Sequence, residues 1–139
     1  MSHCIDTNVI SALLSAEPNA HSISSTLNIL RSAGPLIIHG SVYAELLAAP
    51  GNTPGQLDGF LKRGQIQVDW DTGEPIWQAS GRAYSAYAKR RSKSGGGKPR
   101  RILADFLIGA HALVLGAGLV TLDDTHYRAA FPRLTLVLP

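Results

Sequence analysis

His3-Cys4-Ile5-Asp6-Thr7-Asn8-Val9-Ile10-Ser11, residues 3–11, runs from a short β-like segment through an acid into a stretch that reads as a helix over Thr7 to Ser15. The same order recurs along the chain. Further β-like runs stand at Leu36 to His39, Ile66 to Val68, Leu119 to Thr121 and Leu134 to Leu138. Helical patterns lie between them at Ser22 to Ser32, Ser41 to Ala49, Pro54 to Arg63, Gly73 to about Arg91 and Ile102 to Leu115. Strands that alternate with helices indicate an α/β fold with a mainly parallel sheet. The segment Ile102 to Leu115 is apolar on nearly every side, which predicts a central buried helix.

At 139 residues, with 45% apolar and 17% charged residues, the chain has the size and balance of one globular domain over 1–139 and excludes a disordered or collagen-like polymer. Its single cysteine, Cys4, excludes an internal disulfide framework and a cysteine-based zinc site. The longest apolar run, Ile102 to Val120, is interrupted by Asp105, His111 and three glycines, so no membrane span is expected. The first residues carry no basic and apolar signal pattern, and a cytoplasmic location is the expectation.

The ten acids divide by context. Glu17, Asp58, Asp69, Asp71 and Glu74 lie in polar or turn surroundings where solvation explains them. Asp6, Glu45, Asp105 and Asp123 stand inside apolar stretches, where an ionised carboxylate is costly unless paired. Asp6 and Asp123 directly follow predicted strands, and Glu45 sits on the helix beyond another. The carboxyl ends of parallel strands share one edge, so these three can meet there. Asp105 joins them if its helix starts at that edge. Two carboxylates ~4 Å apart repel by about 4 kcal/mol at an effective dielectric of 20, so such a pocket takes up protons or holds a cation. An all-oxygen donor set suits Mg²⁺ or Mn²⁺. The competing explanation is a helix cap or first-turn acid, and it applies best to Asp6 and to Asp123 or Asp124. The five histidines show no ligand spacing and read as surface or core residues.

Residues 89–101 hold seven of the thirteen Lys and Arg and no acid, which leaves six bases against ten acids elsewhere. Within this segment Lys89, Arg90, Arg91, Lys98, Arg100 and Arg101 are candidate nucleic-acid contacts, the alternative being a solvated helix end and glycine loop.

Four pieces of the chain, taken in order, resemble a PIN-domain ribonuclease of the kind that forms the toxin half of a VapBC-type toxin-antitoxin pair. They are Ile5-Asp6-Thr7-Asn8-Val9-Ile10-Ser11, Val42-Tyr43-Ala44-Glu45-Leu46, Ala104-Asp105-Phe106-Leu107-Ile108 and Leu119-Val120-Thr121-Leu122-Asp123. The resemblance covers essentially the whole chain. It implies a three-layer α/β/α fold around a five-stranded parallel sheet, and metal-dependent hydrolysis of RNA phosphodiesters. It places the catalytic and metal-binding acids on Asp6, Glu45, Asp105 and Asp123, with Asp124 as second choice for the last, and site-ordering roles on Asn8 and Thr121. It further implies an RNA substrate, a cognate antitoxin protein and a homodimer. Leu13, Leu14 and Ile23 are candidates for the antitoxin groove, with core packing the alternative for each.

Two rival functions follow from the same residues. A non-catalytic nucleic-acid-binding module would use the basic segment but gains nothing from four acids in its cleft. A metal-dependent phosphatase is disfavoured because Asp6-Thr7-Asn8 lacks a second acid two residues on, and no Gly-rich phosphate loop follows the first strand. Ser11, Ser41 and Cys4 have no base at a recognisable spacing that would make one of them a nucleophile.

Overall fold

The computed structural model describes residues 1–96 and 101–139. Five strands, β1 (His3–Ile5), β2 (Leu36–His39), β3 (Ile66–Asp69), β4 (Gly118–Val120) and β5 (Leu136–Val137), form one sheet in the order β3-β2-β1-β4-β5. Every neighbouring pair is parallel. The helices are α1 (Thr7–Leu14), α2 (Ala20–Ala33), α3 (Gly40–Ala48), α4 (Pro54–Arg63), α5 (Glu74–Lys93), α6 (Leu103–Leu115) and α7 (Asp124–Ala130). The chain steps from β1 towards β3 through α1 to α4, then crosses to the other side of β1 through α5 and α6. Right-handed connections send these two groups of helices to opposite faces. β1 and β4, at the middle of the order, are buried along their whole length, as strands covered on both faces must be.

Local chemistry sets the element ends. Asp6 caps α1 by accepting a hydrogen bond from the Thr7 amide at 2.8 Å, and Thr53 caps α4 ahead of Pro54. α6 stops at Gly116, whose φ of +66° is the left-handed conformation that favours glycine. Its middle, Phe106 to Ala112, is buried as expected, while Leu103, Val114 and Leu115 at the two ends are exposed. β5 is shorter than the run that predicted it, and β4 ends one residue earlier, which leaves the Thr121 side chain to the site. Phe106 stacks on Tyr84 with ring centroids 4.6 Å apart and meets His126 edge-on, tying α5, α6 and α7 together.

His3, His39, His111 and His126 are core residues and His21 is exposed. Asp69 is not simply solvated: its Oδ2 accepts from His111 Nε2 at 2.9 Å. That bond, ahead of all other causes, holds the Asp69 carboxyl below the usual carboxylate range. The Cys4 thiol lies 3.6 Å from His111 Nδ1, and burial pushes it up to about 12, so it stays a neutral donor. Burial pushes His39 down to about 4, with His111 adding to the effect. The neutral imidazole accepts from the Ser41 amide through Nδ1 at 3.1 Å and so caps α3, the helix that carries Glu45.

Candidate active site

In the strand order β3-β2-β1-β4-β5 the chain turns one way from β1 and the other way from β4, so the switch point of the sheet lies between these two strands. Ile5 is opposite Val120, and the next residues, Asp6 and Thr121, leave the sheet side by side. The Asp6 amide donates to the Val120 carbonyl at 2.9 Å, and the Thr121 hydroxyl donates to Asp6 Oδ2 at 2.8 Å. Both oxygens of Asp6 are therefore held.

Asp6 is 6% exposed. Burial pushes its carboxyl up to about 6; hydrogen bonds from Thr121, the Thr7 amide and Tyr127 oppose the rise, and the Asp105 charge adds to it. Asp6 thus both caps a helix and sits buried at the switch point.

A cleft of about 420 Å³ opens above Asp6, and Glu45, Asp105 and Asp123 line it too. These three are half-buried rather than desolvated, contrary to what their apolar flanks suggest, because each stands at a helix end or surface facing the opening. Glu45 accepts from the Thr7 hydroxyl at 2.7 Å. Asp105 lies in the first turn of α6. Asp123 caps α7 by accepting from the His126 amide at 3.4 Å, and its own amide donates to the Thr121 hydroxyl oxygen at 3.0 Å. Asn8 accepts from the Leu122 amide at 3.2 Å, which fastens α1 to the end of β4. Asp124 pairs instead with Arg128 at 3.0 Å and is absent from the cleft lining.

The basic candidates separate. Arg101 enters the acidic cleft, where its Nη1 lies 2.7 Å from Asp123 Oδ2, so it is no free surface arm. Arg90 and Arg91 line an adjoining cleft of about 340 Å³ that shares Arg101 with the first. Lys89 is exposed on α5, and Lys98 and Arg100 lie outside the described residues.

Sequence reasoning did not single out Thr7, Tyr127 or Glu17 as residues of this cleft. Tyr127 stands four residues after Asp123, one helical turn away, which was the available signal. Burial raises its phenol, with Asp6 the next cause, so the group is a hydrogen-bond donor and not a base. Among the described residues no group of three or more His, Cys, Asp or Glu side chains is gathered closely enough to hold a metal ion. The four acids share a cleft without forming a preassembled cation cage.

The PIN domain family matches residues 3–132. The chain belongs to that family. Three solved structures show how closely its fold follows: VapBC2 from Rickettsia felis bound to a promoter DNA fragment, FitAcB from Neisseria gonorrhoeae, and VapBC-1 from nontypeable Haemophilus influenzae. The first is similar at 23% identity and a TM-score of 0.74 over 99% of this chain and 98% of that one. FitAcB gives 24% and 0.66 over 96% of this chain and 95% of that one. VapBC-1 gives 23% and 0.65 over 99% and 97%. No curated protein matches the chain. In this PIN domain the acids thus line the switch-point cleft of the shared fold.

Proposed function

We propose that this chain is one PIN nuclease domain over 1–139 that hydrolyses RNA phosphodiester bonds with a divalent cation, Mg²⁺ or Mn²⁺, and acts as the toxin of a toxin-antitoxin pair. The observation that carries the reading is the buried Asp6 at the switch point, with Glu45, Asp105 and Asp123 in the same cleft. PIN nucleases generally use divalent metal ions. The donor set here fits such an ion in kind, being all carboxylate oxygen, although the acids are not drawn together around one point. Asp6, Glu45, Asp105 and Asp123 would hold it. When bound, such a cation supplies a water acidic enough to attack phosphorus and charge to offset the developing negative oxygens.

The chain's own residues do the rest. Thr7 and Thr121 fix the orientation of Glu45 and Asp6, so these carboxylates need little reorganisation to meet a charge. Asn8 holds the loop after β4, which sets where Asp123 stands. Arg101 supplies a positive charge inside the cleft, and Arg90 and Arg91 offer phosphate contacts along the adjoining one. No side-chain nucleophile is needed.

One observation favours the non-catalytic alternative: Asp123 is already neutralised by Arg101 in a cleft without a preassembled cage. Incubation of the purified protein with single-stranded and looped RNA separates the two. The nuclease reading expects cuts with Mn²⁺ and none after EDTA. Binding with no cuts in either would leave the binding module.

The proposed partners are the RNA substrate, a cognate antitoxin and a second copy of the chain, in the cytoplasm where these would meet. Support for the antitoxin comes from the similar folds of proteins solved as VapBC and FitAB assemblies. Leu13, with Leu27 and Phe60, lines an apolar cleft of about 340 Å³ between α1, α2 and α4 that suits a partner segment. Leu13 and Leu14 both pack against the core from a half-buried position, and Ile23, 0% exposed, is a core residue and drops out as a docking candidate. Among the described residues no helix is long and apolar enough to cross a membrane. The pairing expects the chain to co-purify with the product of the reading frame beside its own. A chain that ignores that product counts against it.

A further inference from the structure

Arg101 is anchored by its main chain and directed by its side chain. Its amide donates to the Tyr87 hydroxyl and its carbonyl accepts from the Tyr84 hydroxyl, each at 3.2 Å and both from α5. The guanidinium reaches Asp123 Oδ2, while Asp123 Oδ1 accepts from the His126 amide. Both oxygens of Asp123 are therefore occupied. Arg101 is the one cation among the described residues that line the acidic cleft, and it also stands where that cleft meets the one holding Arg90 and Arg91.

We propose that Arg101 is an exchangeable counter-ion: it holds Asp123 while the cleft is free, releases it to a divalent cation, and then takes a phosphate oxygen of the bound strand. This rests on the nuclease reading above. The physical reason is competition. A divalent cation held with the help of Asp123 would repel a guanidinium on the same carboxylate, and the monovalent group is the one that would leave. The Arg101 and Asp123 side chains are 37% and 33% exposed, so their pair is weak enough to be exchanged. A displaced guanidinium needs another anion, and its planar fork of donors fits a phosphate in two-point contact. The position at the junction of the two clefts puts that phosphate between the acids and the arginines of α5. Metal and nucleic acid then help each other bind, by the same factor in both directions.

Arg101→Met tests this, because Met keeps the aliphatic stem and both main-chain bonds while removing the charge. Calorimetric titration of the full chain with Mn²⁺ alone is expected to show Arg101→Met binding the ion about fivefold more tightly than wild type, the size of a half-exposed ion pair. Arg101→Lys, which keeps the charge, should stay near wild type. In the second arm, fluorescence anisotropy follows a labelled oligothymidylate, a strand with the same phosphates as RNA. Wild type should bind it about fivefold more tightly with Mn²⁺ than with EDTA, and Arg101→Met should lose most of that difference. Equal Mn²⁺ affinity of wild type and Arg101→Met overturns the proposal, as does strand binding by wild type that ignores the metal. If wild type cuts RNA with Mn²⁺ while those affinities are equal, the nuclease reading stands and the exchange alone fails. A wild type that takes up no Mn²⁺ removes both.

Discussion

Asp6→Asn and Asp105→Asn are expected to slow Mn²⁺-dependent RNA cleavage by about 100-fold or more, the scale of losing one preorganised group that supports the charge developed in the reaction, here one of the carboxylates that would hold the cation. Asn has the shape of Asp. At position 6 its carbonyl oxygen can still accept from the Thr7 amide, so the cap of α1 survives and a loss of cleavage cannot be assigned to unfolding. At position 105 the main chain holds the first turn of α6 through the bond from the Asp105 amide to the Ile102 carbonyl, which the substitution leaves alone. Single-turnover cleavage rates of the two variants and wild type, all purified free of other nucleases, check this. Full cleavage by either variant would take that acid out of the chemistry. Full cleavage by both would remove the acidic cleft as the reaction centre.

The prominence of Asp6 and Asp123 in the sequence has a simple origin. Each follows a strand directly, and a parallel sheet brings the ends of all its strands to one edge, so local spacing was enough to place both there. Glu45 and Asp105 needed one more step, since a residue on a helix reaches the edge only if the helix starts there. The start of α3 rests on His39 and that of α6 on a turn at Ile102, and both lie at that edge. What could not be read was pairing across distance. Arg101 and Asp123 are 22 residues apart and His111 and Asp69 are 42 apart, and nothing in their neighbours connects them. In a run of basic residues Arg101 looks like a surface charge, yet the hydroxyls of Tyr84 and Tyr87 turn its backbone so that the side chain enters the cleft. Glu17 is inconspicuous in the sequence for the converse reason. Its sequence context is polar, and only the turn after α1, with Ala16 at a φ of +49°, brings it to the cleft.

Metal-free protein should lose stability as pH rises from about 4 to about 7 through one residue, Asp6. Burial is the main cause that places its folded carboxyl at about 6, against an ordinary value near 3.9 for the unfolded chain. Between those two values the folded state binds more proton than the unfolded state, so raising the pH favours unfolding. Below about pH 4 both states are protonated and the stability is fully present; above about pH 7 both are ionised and the loss is complete. A separation of about two units corresponds to about 3 kcal/mol. His39, held down at about 4 by burial, acts in the opposite sense, because it must be charged when the chain unfolds in acid. Asp69, held low by His111, also gains stability with rising pH. Raw melting curves therefore mix several groups, and the difference between wild type and Asp6→Asn isolates this one. In EDTA the variant should be about 3 kcal/mol more stable than wild type at pH 7.5, relative to their difference at pH 4. Saturating Mn²⁺ at pH 7.5 should offset most of that advantage, since an ion at 100 times its Kd stabilises the wild type by about 2.7 kcal/mol and has lost a ligand in the variant. A difference that stays flat from pH 4 to 7.5 would mean that water reaches Asp6 freely and that its charge costs the fold nothing. The carboxylate at the switch point would then not be held in readiness for a cation.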